Sequence, residues 1–341
     1  MVNHRDIYHP QAGGAEVVLY EVGRRLAKKA NVTWLAESVK GRRSEEIIEG
    51  IRVKRRGSKY TLHLYSLIEA KKHEIVLDSV AHAAPFFSYK VNRNTVAMVH
   101  HVHQDVLKFE VDPLQAIFLK ALEKRVRDYD NIIAVSNTTK RDLSKLGVNE
   151  EKIHVIYNGV DHEKYKPGEK SEKPMILWIG RMKKYKNPFD SLRIYKKLTK
   201  KAEMVVVGGG DLAIEFARIS EGMGVKYLGK VTEEEKIKLY QKAWIVLSTS
   251  YIEGWGMTVI EANACGTPVV AYATGSMPEI IKEGVNGFLV PYKDYDYAAK
   301  VIDTILEENI IKELSKKSLG ESMKYSWEKT ADEYMRYLSR F

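Results

Sequence analysis

The sequence predicts an α/β protein of two lobes, each a parallel sheet covered by helices on both faces. Three observations carry this. A chain of 341 residues is longer than one ordinary hydrophobic core fills and sufficient for two. The second half alternates apolar runs of strand length with segments of helix length: Met175-Ile-Leu-Trp-Ile179, a helix from Pro188 to Thr199, Met204-Val-Val-Val207, Val225-Lys-Tyr-Leu228, a helix from Glu233 to Lys242, Trp244-Ile-Val-Leu247, a helix from Met257 to Ala264, and Pro268-Val-Val-Ala271. Strands separated by a helix's worth of chain pair in parallel, because a parallel crossover needs that much chain to return to the same end of the sheet. Finally, the stretch from Asn158 to Pro174 is polar and rich in Gly, Pro and charge, as expected of a linker between lobes.

The first half shows the same elements less regularly. A helix from Ala15 to Ala30 and a strand from Asn31 to Leu35 are followed by Ile75-Val-Leu77 and Thr95-Val-Ala-Met-Val99. A helix from Pro113 to Arg127 then leads into Ile132-Ile-Ala-Val135, and one from Thr138 to Lys145 into Ile153-His-Val-Ile156. Tyr325 to Leu338 places apolar and aromatic residues at helical spacing. The expected boundaries are 1–160 for the first lobe, 161–322 for the second, and a terminal helical segment 323–341 packing back toward the first. One feature departs from this plan: only Met1 and Val2 precede Asn3-His4, so the first strand of the first lobe looks cut short. Either the chain begins upstream or that edge of the sheet is reduced, and loss of a central strand would weaken the lobe.

Composition narrows the class. Hydrophobic residues at 44% and charged residues at 29% are the balance of a soluble globular protein, which excludes disordered and collagen-like chains. The single cysteine, Cys265, has no internal disulfide partner and lies in an apolar passage, so it is read as packing in a reducing compartment. No apolar run is long enough for a membrane span and the N-terminus has no signal-peptide core, so the expected location is cytoplasmic. A net charge of +10 suits anionic partners in general. Nucleic acid is not expected, because no zinc-finger spacing or recognition module is present.

The most informative stretch is Glu253-Gly-Trp-Gly-Met-Thr-Val-Ile-Glu261, which follows a buried strand and opens a helix. Its glycines allow a tight turn, and the amides of Gly256, Met257 and Thr258 would face an anion above the helix N-terminus, a diphosphate being the natural ligand. Glu261, further into the helix, can accept hydrogen bonds from ribose hydroxyls, and Glu253 can face a sugar; the competing reading is an ordinary strand-to-helix turn. Met98-Val-His-His-Val-His-Gln-Asp105 ends a strand with three histidines and admits three readings, namely a metal site, a sugar-contacting histidine, or capping and packing. Metal is the weakest, because no carboxylate pair or cysteine stands at ligand spacing. The pair Gly13-Gly14 marks either a close approach to a ligand or a helix start with positive φ. Gly208-Gly-Gly210 completes no dinucleotide fingerprint and is read as a strand-end turn near a nucleoside, not as an NAD site.

Taken together, these residues resemble glycosyltransferase family 4. Glu253 and Glu261 have seven residues between them, as in that family's signature. Pro10-Gln-Ala-Gly-Gly-Ala-Glu16 looks like its N-terminal glycine loop, and Val135-Ser-Asn-Thr-Thr-Lys-Arg-Asp-Leu143 with Tyr157-Asn-Gly-Val-Asp161 like the passage into its linker. Ile179-Gly-Arg-Met-Lys-Lys-Tyr-Lys-Asn187 resembles its donor-phosphate loop, and Ala264-Cys-Gly-Thr-Pro-Val-Val270 with Thr274-Gly-Ser-Met-Pro-Glu279 the segments after the glutamates. The resemblance implies the GT-B fold, two Rossmann-like domains facing across a cleft, with the nucleotide sugar on the C-terminal domain and the acceptor on the N-terminal one. It implies Arg181 and Lys186 on the donor diphosphate, and His100 at the donor sugar with His103 as the fallback. Gly13 and Gly14 fall at the lip of the cleft, and Gly208, Glu253, Gly256, Met257, Thr258 and Glu261 fall around the donor.

The function so implied is retaining transfer of a hexose, without metal or other cofactor, from a UDP- or GDP-linked sugar to a sugar or lipid-linked hydroxyl. Peripheral contact with an anionic membrane is expected from charge alone. Two other readings stay open: a GT-B-type epimerase, which would need acid–base residues at the sugar and no acceptor, and a catalytically silent protein that binds nucleotide sugar or glycan. The oligomeric state, donor base and acceptor are not encoded in any motif.

Overall fold

In the computed structural model, which describes residues 1–341, the chain divides into one unit of Met1–Gly159 with Trp327–Phe341 and a second of Val160–Ser326. The first unit runs α1 (Gly14–Leu26), β1 (Thr33–Ala36), β2 (Glu45–Ile48), β3 (Ile51–Arg55), α2 (Leu62–Ala70), β4 (Val76–Val80), β5 (Thr95–Val99), α3 (Leu107–Glu110), α4 (Pro113–Glu123), β6 (Asn131–Ala134), α5 (Asn137–Lys145) and β7 (Ile153–Val155). The second runs β8 (Met175–Ile179), α6 (Pro188–Tyr195), β9 (Glu203–Val207), α7 (Ala213–Ser220), β10 (Val225–Tyr227), α8 (Glu233–Lys242), β11 (Ile245–Ser248), α9 (Met257–Ala264), β12 (Val269–Tyr272), α10 (Met277–Ile280), β13 (Gly287–Val290), α11 (Tyr295–Ile305) and α12 (Glu308–Ser322). The last helix, α13 (Trp327–Leu338), returns to the first unit.

The first sheet is held together at its middle by three residues. Strands β2, β3 and β1 form one block in the order β1-β3-β2, and β4-β5-β6-β7 form another. Val2 bridges both, in parallel with Leu35 of β1 and Asp78 of β4. Its N–H donates to Leu77 O at 2.8 Å and its C=O accepts Ser79 N–H at 2.9 Å, while Leu35 N–H reaches Met1 O at 2.9 Å and Asn3 N–H reaches Leu35 O at 3.1 Å. The expectation of a reduced edge is therefore corrected: the short strand is central, and both its edges are satisfied because three residues suffice for four backbone hydrogen bonds. Counting this segment as the first strand, the sheet reads outward from it as β1, β3 and β2 on one side and β4 to β7 on the other, with only the β2–β3 pair antiparallel.

The helix α13 packs on this unit through Trp327, Ala331, Tyr334 and Leu338, all buried. Its Glu328 accepts from Arg25 Nη2 of α1 at 2.6 Å, and Tyr337 stacks on His154 with ring centroids 5.0 Å apart. Burial of the apolar stripe, rather than the exposed ion pair, holds it there.

The second unit is a six-stranded, wholly parallel sheet in the order β10-β9-β8-β11-β12-β13. In chain order this is 3-2-1-4-5-6, the doubly wound arrangement, whose topological switch point lies between β8 and β11. Its strands are apolar on both faces because helices cover both, and Trp178, Met204, Phe216, Leu247 and Ile302 lie in one continuous core.

Val2→Ala removes buried methyl groups at the junction of the two strand blocks, and we expect a loss of about 2 kcal/mol in a urea melt, read as a lower midpoint at unchanged slope.

Candidate active site

Parallel sheets bind ligands outside the carboxyl ends of their strands at the switch point, and in the second unit the predicted donor residues gather there. The chain leaves β8 as Gly180-Arg181 and β11 as Thr249-Ser250. The loop after β8 lies on the end of β9: Gly180 N–H donates to Val207 O at 3.1 Å and Met182 N–H to Gly209 O at 2.9 Å. Gly208, at φ +146°, has no room for a side chain, since a Cβ there would sit 1.8 Å from Gly180 O. Its glycine is thus required by contact with the backbone of the loop after β8.

The loop closes on Asn187, which adopts the left-handed conformation at φ 46°, ψ 52° and opens α6, with Pro188 at the first helical position. Its side-chain amide donates to Thr249 O at 3.1 Å. The Thr249 hydroxyl faces Lys186 O and Asn187 O, each at 2.9 Å, and accepts from the Trp178 indole N–H at 2.9 Å. This buried threonine ties the loop to the neighbouring strand and so fixes where Lys186 stands.

The Lys186 ammonium is in direct contact with Glu253 Oε1, which also accepts the Ser250 hydroxyl at 2.7 Å. Both charged side chains are mostly shielded, at 15% and 20% exposure, so the attraction is screened less than a surface pair would be. Arg181 is exposed and donates from Nη2 to Tyr185 OH at 2.7 Å, and the Tyr185 ring lies 5.4 Å from the Lys186 ammonium. Arg181, Lys186 and Glu253 are therefore brought into one constellation.

Beyond Glu253, the chain turns through Gly256, the N-cap of α9 at φ 88° and ψ 55°, a conformation that favours glycine. Met257 and Thr258 stand in the first turn, where backbone N–H groups have no acceptor within the helix. The backbone of Glu253 is itself supported from below. Ser276 N–H donates to Glu253 O at 3.1 Å, and a Cβ on Gly275, at φ +55°, would lie 2.6 Å from Glu253 N.

The second glutamate has a different environment. Glu261 Oε2 accepts Tyr240 OH at 3.0 Å and lies 3.3 Å from the Lys236 ammonium, so α8 holds it in place.

The other predicted residues lie in the first unit. Gly13 caps α1 at φ −147° and ψ −153°, and neither Gly13 nor Gly14 has a positive φ. The expectation of a left-handed helix start is corrected, because extended backbone at the N-cap is open to any residue. Nothing lies within 4 Å of a Cβ on Gly14, so packing within the protein does not require that glycine either. What remains is the reading of a close approach from outside. The loop is braced by buried Glu16, which accepts Gly13 N–H at 2.7 Å and the Asn3 side-chain amide at 2.8 Å.

His100 follows β5 and places Nε2 3.0 Å from Ser79 Oγ. Burial, with His103 nearby, pushes its imidazole down to about 4, so it is neutral. His103 has both ring nitrogens occupied, Nδ1 at 2.8 Å from Glu123 Oε1 and Nε2 at 3.1 Å from Ala81 O, which makes it a structural residue of the loop. No group of His, Cys, Asp and Glu is arranged to hold a metal ion. The residues that sequence reasoning missed are Thr249, Ser250, Tyr240 and Lys236, none of which belongs to a recognisable spacing; the Asn187-Pro188 step was the one readable turn signal.

Two measurements check this geometry. Gly275→Ala should lower Tm and, through the displaced Glu253 backbone, weaken any ligand-induced stabilisation more than it lowers Tm alone; a neutral effect on both would refute the support role. For pH, burial also holds His4 down to about 3, against an ordinary value of 6.5. Unfolded chains then bind protons between pH 6.5 and 4 that the folded unit does not, so stability is complete above 6.5 and falls as the pH drops toward 4. Tm against pH should show this slope, and His100→Gln should make it shallower.

Known proteins resemble this chain over both units. A model described as "Glycosyltransferase Family 4" matches residues 12–164, and one described as "Glycosyl transferases group 1" matches residues 160–322. D-inositol 3-phosphate glycosyltransferase of Mycobacterium marinum is 29% identical over 224 residues, 59% of this chain and 48% of that protein. An uncharacterized glycosyltransferase of Methanocaldococcus jannaschii is 31% identical over 227 residues, 59% of this chain and 58% of that protein. The chain thus spans about half the length of the curated relatives it matches. Among solved structures, sucrose-phosphate synthase from Thermosynechococcus elongatus superposes with a TM-score of 0.82 at 20% identity, covering 99% of this chain and 97% of that one. The Anabaena protein HepE, crystallised with UDP-glucose, gives 0.79 at 18% identity, covering 100% and 98%. These likenesses show the GT-B fold, and with two adjoining family models over residues 12–322 the chain belongs to glycosyltransferase family 4.

Proposed function

We propose that this protein transfers a hexose from a nucleotide-diphosphate sugar to a hydroxyl of a sugar or lipid-linked acceptor, with retention of anomeric configuration and without a metal ion. The observation that carries the reading is the constellation of Arg181, Lys186 and Glu253 at the switch point of the second unit. Without donor, Lys186 and Glu253 satisfy one another. With donor, the ammonium and the Arg181 guanidinium take the diphosphate, the first turn of α9 adds its amides, and Glu253 is released toward the sugar hydroxyls.

The chemistry follows from charge. Breaking the bond between the anomeric carbon and the phosphate oxygen leaves a diphosphate whose negative charge grows in the transition state, where fixed cations stabilise it more than in the ground state. The acceptor oxygen forms its bond on the face the phosphate leaves, and its proton passes to the departing phosphate oxygen. Two cations and a helix N-terminus do here what a divalent ion does elsewhere, which is the basis for expecting turnover in EDTA. UDP is the first base to test, because HepE was crystallised with UDP-glucose. Contact with an anionic membrane surface is part of the proposal, in keeping with the net charge of +10.

The test is a thermal-shift panel with UDP, GDP, ADP and their hexose conjugates. One nucleotide should raise Tm, and Arg181→Ala or Lys186→Ala should abolish the rise. With the matching donor, each of these variants should lower kcat by about 10²–10³. Absence of any shift with the wild-type chain would overturn the donor site.

A further inference from the structure

The helix α8 sets a polar row against its neighbour. It is opened by a capping box, in which the Thr232 hydroxyl accepts Glu235 N–H at 3.2 Å and the Glu235 carboxylate accepts Thr232 N–H at 2.8 Å. From there Glu233, Lys236 and Tyr240 follow at helical spacing and share one face. A surface helix ordinarily buries an apolar stripe, yet of the ten residues of α8 only Tyr240 is buried.

The row converges on Glu261 of α9. The Tyr240 hydroxyl donates to Glu261 Oε2 at 3.0 Å, and the Lys236 ammonium lies 3.3 Å from Oε2 and 3.4 Å from Oε1. Lys236 is itself held by Glu233 at 2.9 Å and lies 5.1 Å from the centre of the Tyr165 ring, whose hydroxyl donates to Glu233 in turn. Such an arrangement adds little stability, since apolar side chains of similar volume pack as well without desolvating a cation. What it does is hold a carboxylate in one orientation. Glu261 is only 12% exposed, and its Oε1 meets the longer Lys236 contact alone, which leaves a lone pair for another donor. Glu261 also stands one turn beyond Met257 on the same face of α9, and the Tyr240 hydroxyl is hydrogen-bonded to the Thr258 side chain as well. One buried hydroxyl thus links the first turn of α9, whose amides have no acceptor within the helix, to the carboxylate a turn further on.

We infer that Tyr240 and Lys236 are positioning residues that make this protein selective for ribonucleotide donors, by holding Glu261 Oε1 where a ribose hydroxyl meets it. A glutamate free to rotate would turn to water when that hydroxyl is missing and would discriminate weakly. A held one cannot, so a nucleotide without the 2′ and 3′ hydroxyls leaves Oε1 shielded and without a donor. This selectivity rests on the proposed nucleotide-sugar donor, with Glu261 as its ribose contact; control from α8 is the added element.

Calorimetric titration of the full chain with the nucleoside diphosphate picked out by the thermal-shift panel, and with its 2′,3′-dideoxy counterpart, reads the selectivity directly. Wild type should bind the ribonucleotide about 10- to 100-fold more tightly, the usual size of a hydrogen bond to a charged group. Tyr240→Phe and Lys236→Met should each cut that ratio to about threefold by weakening the ribonucleotide while affinity for the dideoxy nucleotide stays unchanged. Lys236→Arg, which keeps the charge, should hold the ratio near that of wild type. Equal binding of both nucleotides by wild type overturns the selectivity, and variants that weaken both nucleotides equally, with a fall in Tm, show a merely structural row and overturn the positioning role. Glu261→Ala separates this inference from the reading beneath it. If that variant loses the ratio while Tyr240→Phe and Lys236→Met keep it, Glu261 remains the ribose contact and control from α8 is refuted. A ratio that survives Glu261→Ala is a failure of the ribose contact, and a wild type that binds neither nucleotide is a failure of the donor reading; the inference falls with either.

Discussion

A parallel strand can pair with its neighbour only after the chain has crossed back to the end where it started, and this constraint positions everything functional in the protein. Each crossover consumes a helix and returns every strand-to-helix loop to one edge of the sheet. Where the winding reverses, two adjacent loops diverge and leave room between them. In the second unit that reversal, between β8 and β11, brings Lys186 and Glu253 together from loops 67 residues apart in sequence. In the first unit the same reversal, between the opening segment and β4, brings His4 and His82 to one cavity.

Holding a cation and a carboxylate together in a half-shielded place is a way of keeping both charged and oriented. Isolated in such a place, either group would face a desolvation cost, which their contact and the Ser250 hydroxyl offset. The scaffold beneath them is stiff where it must be. Thr249 ties the loop backbone to a strand, Gly208 permits two strand ends to touch, and Gly275 lets a neighbouring loop lie directly under Glu253. None of these three carries a charge; each fixes the backbone beside Arg181, Lys186 or Glu253.

The first unit spends its surface differently. Its sheet core is conventional, with Ala97, Ile132 and Leu143 in one apolar cluster, yet two of its outer helices present leucine, isoleucine and aromatic side chains to solvent. No helix of the protein is long and apolar enough to cross a membrane.

The sequence by itself determined the alternation of strands and helices, the division near residue 160, and the glutamate pair with its basic loop, because periodicity, turn chemistry and motif spacing are local properties written over ten or twenty residues. It did not show that Met1 to Asn3 would fill a central place, since strand pairing joins residues such as Val2 and Asp78 that are distant in the chain. Tertiary structure alone decided that His103 is occupied by Glu123, that Gly13 and Gly14 need no positive φ, and that Thr249 fixes the loop carrying Lys186. It also decided which face of α2 and α4 turns outward. An apolar stripe at helical spacing looks the same in sequence whether the fold packs it against a sheet or leaves it on the surface, and only the position of the neighbouring elements tells the two apart.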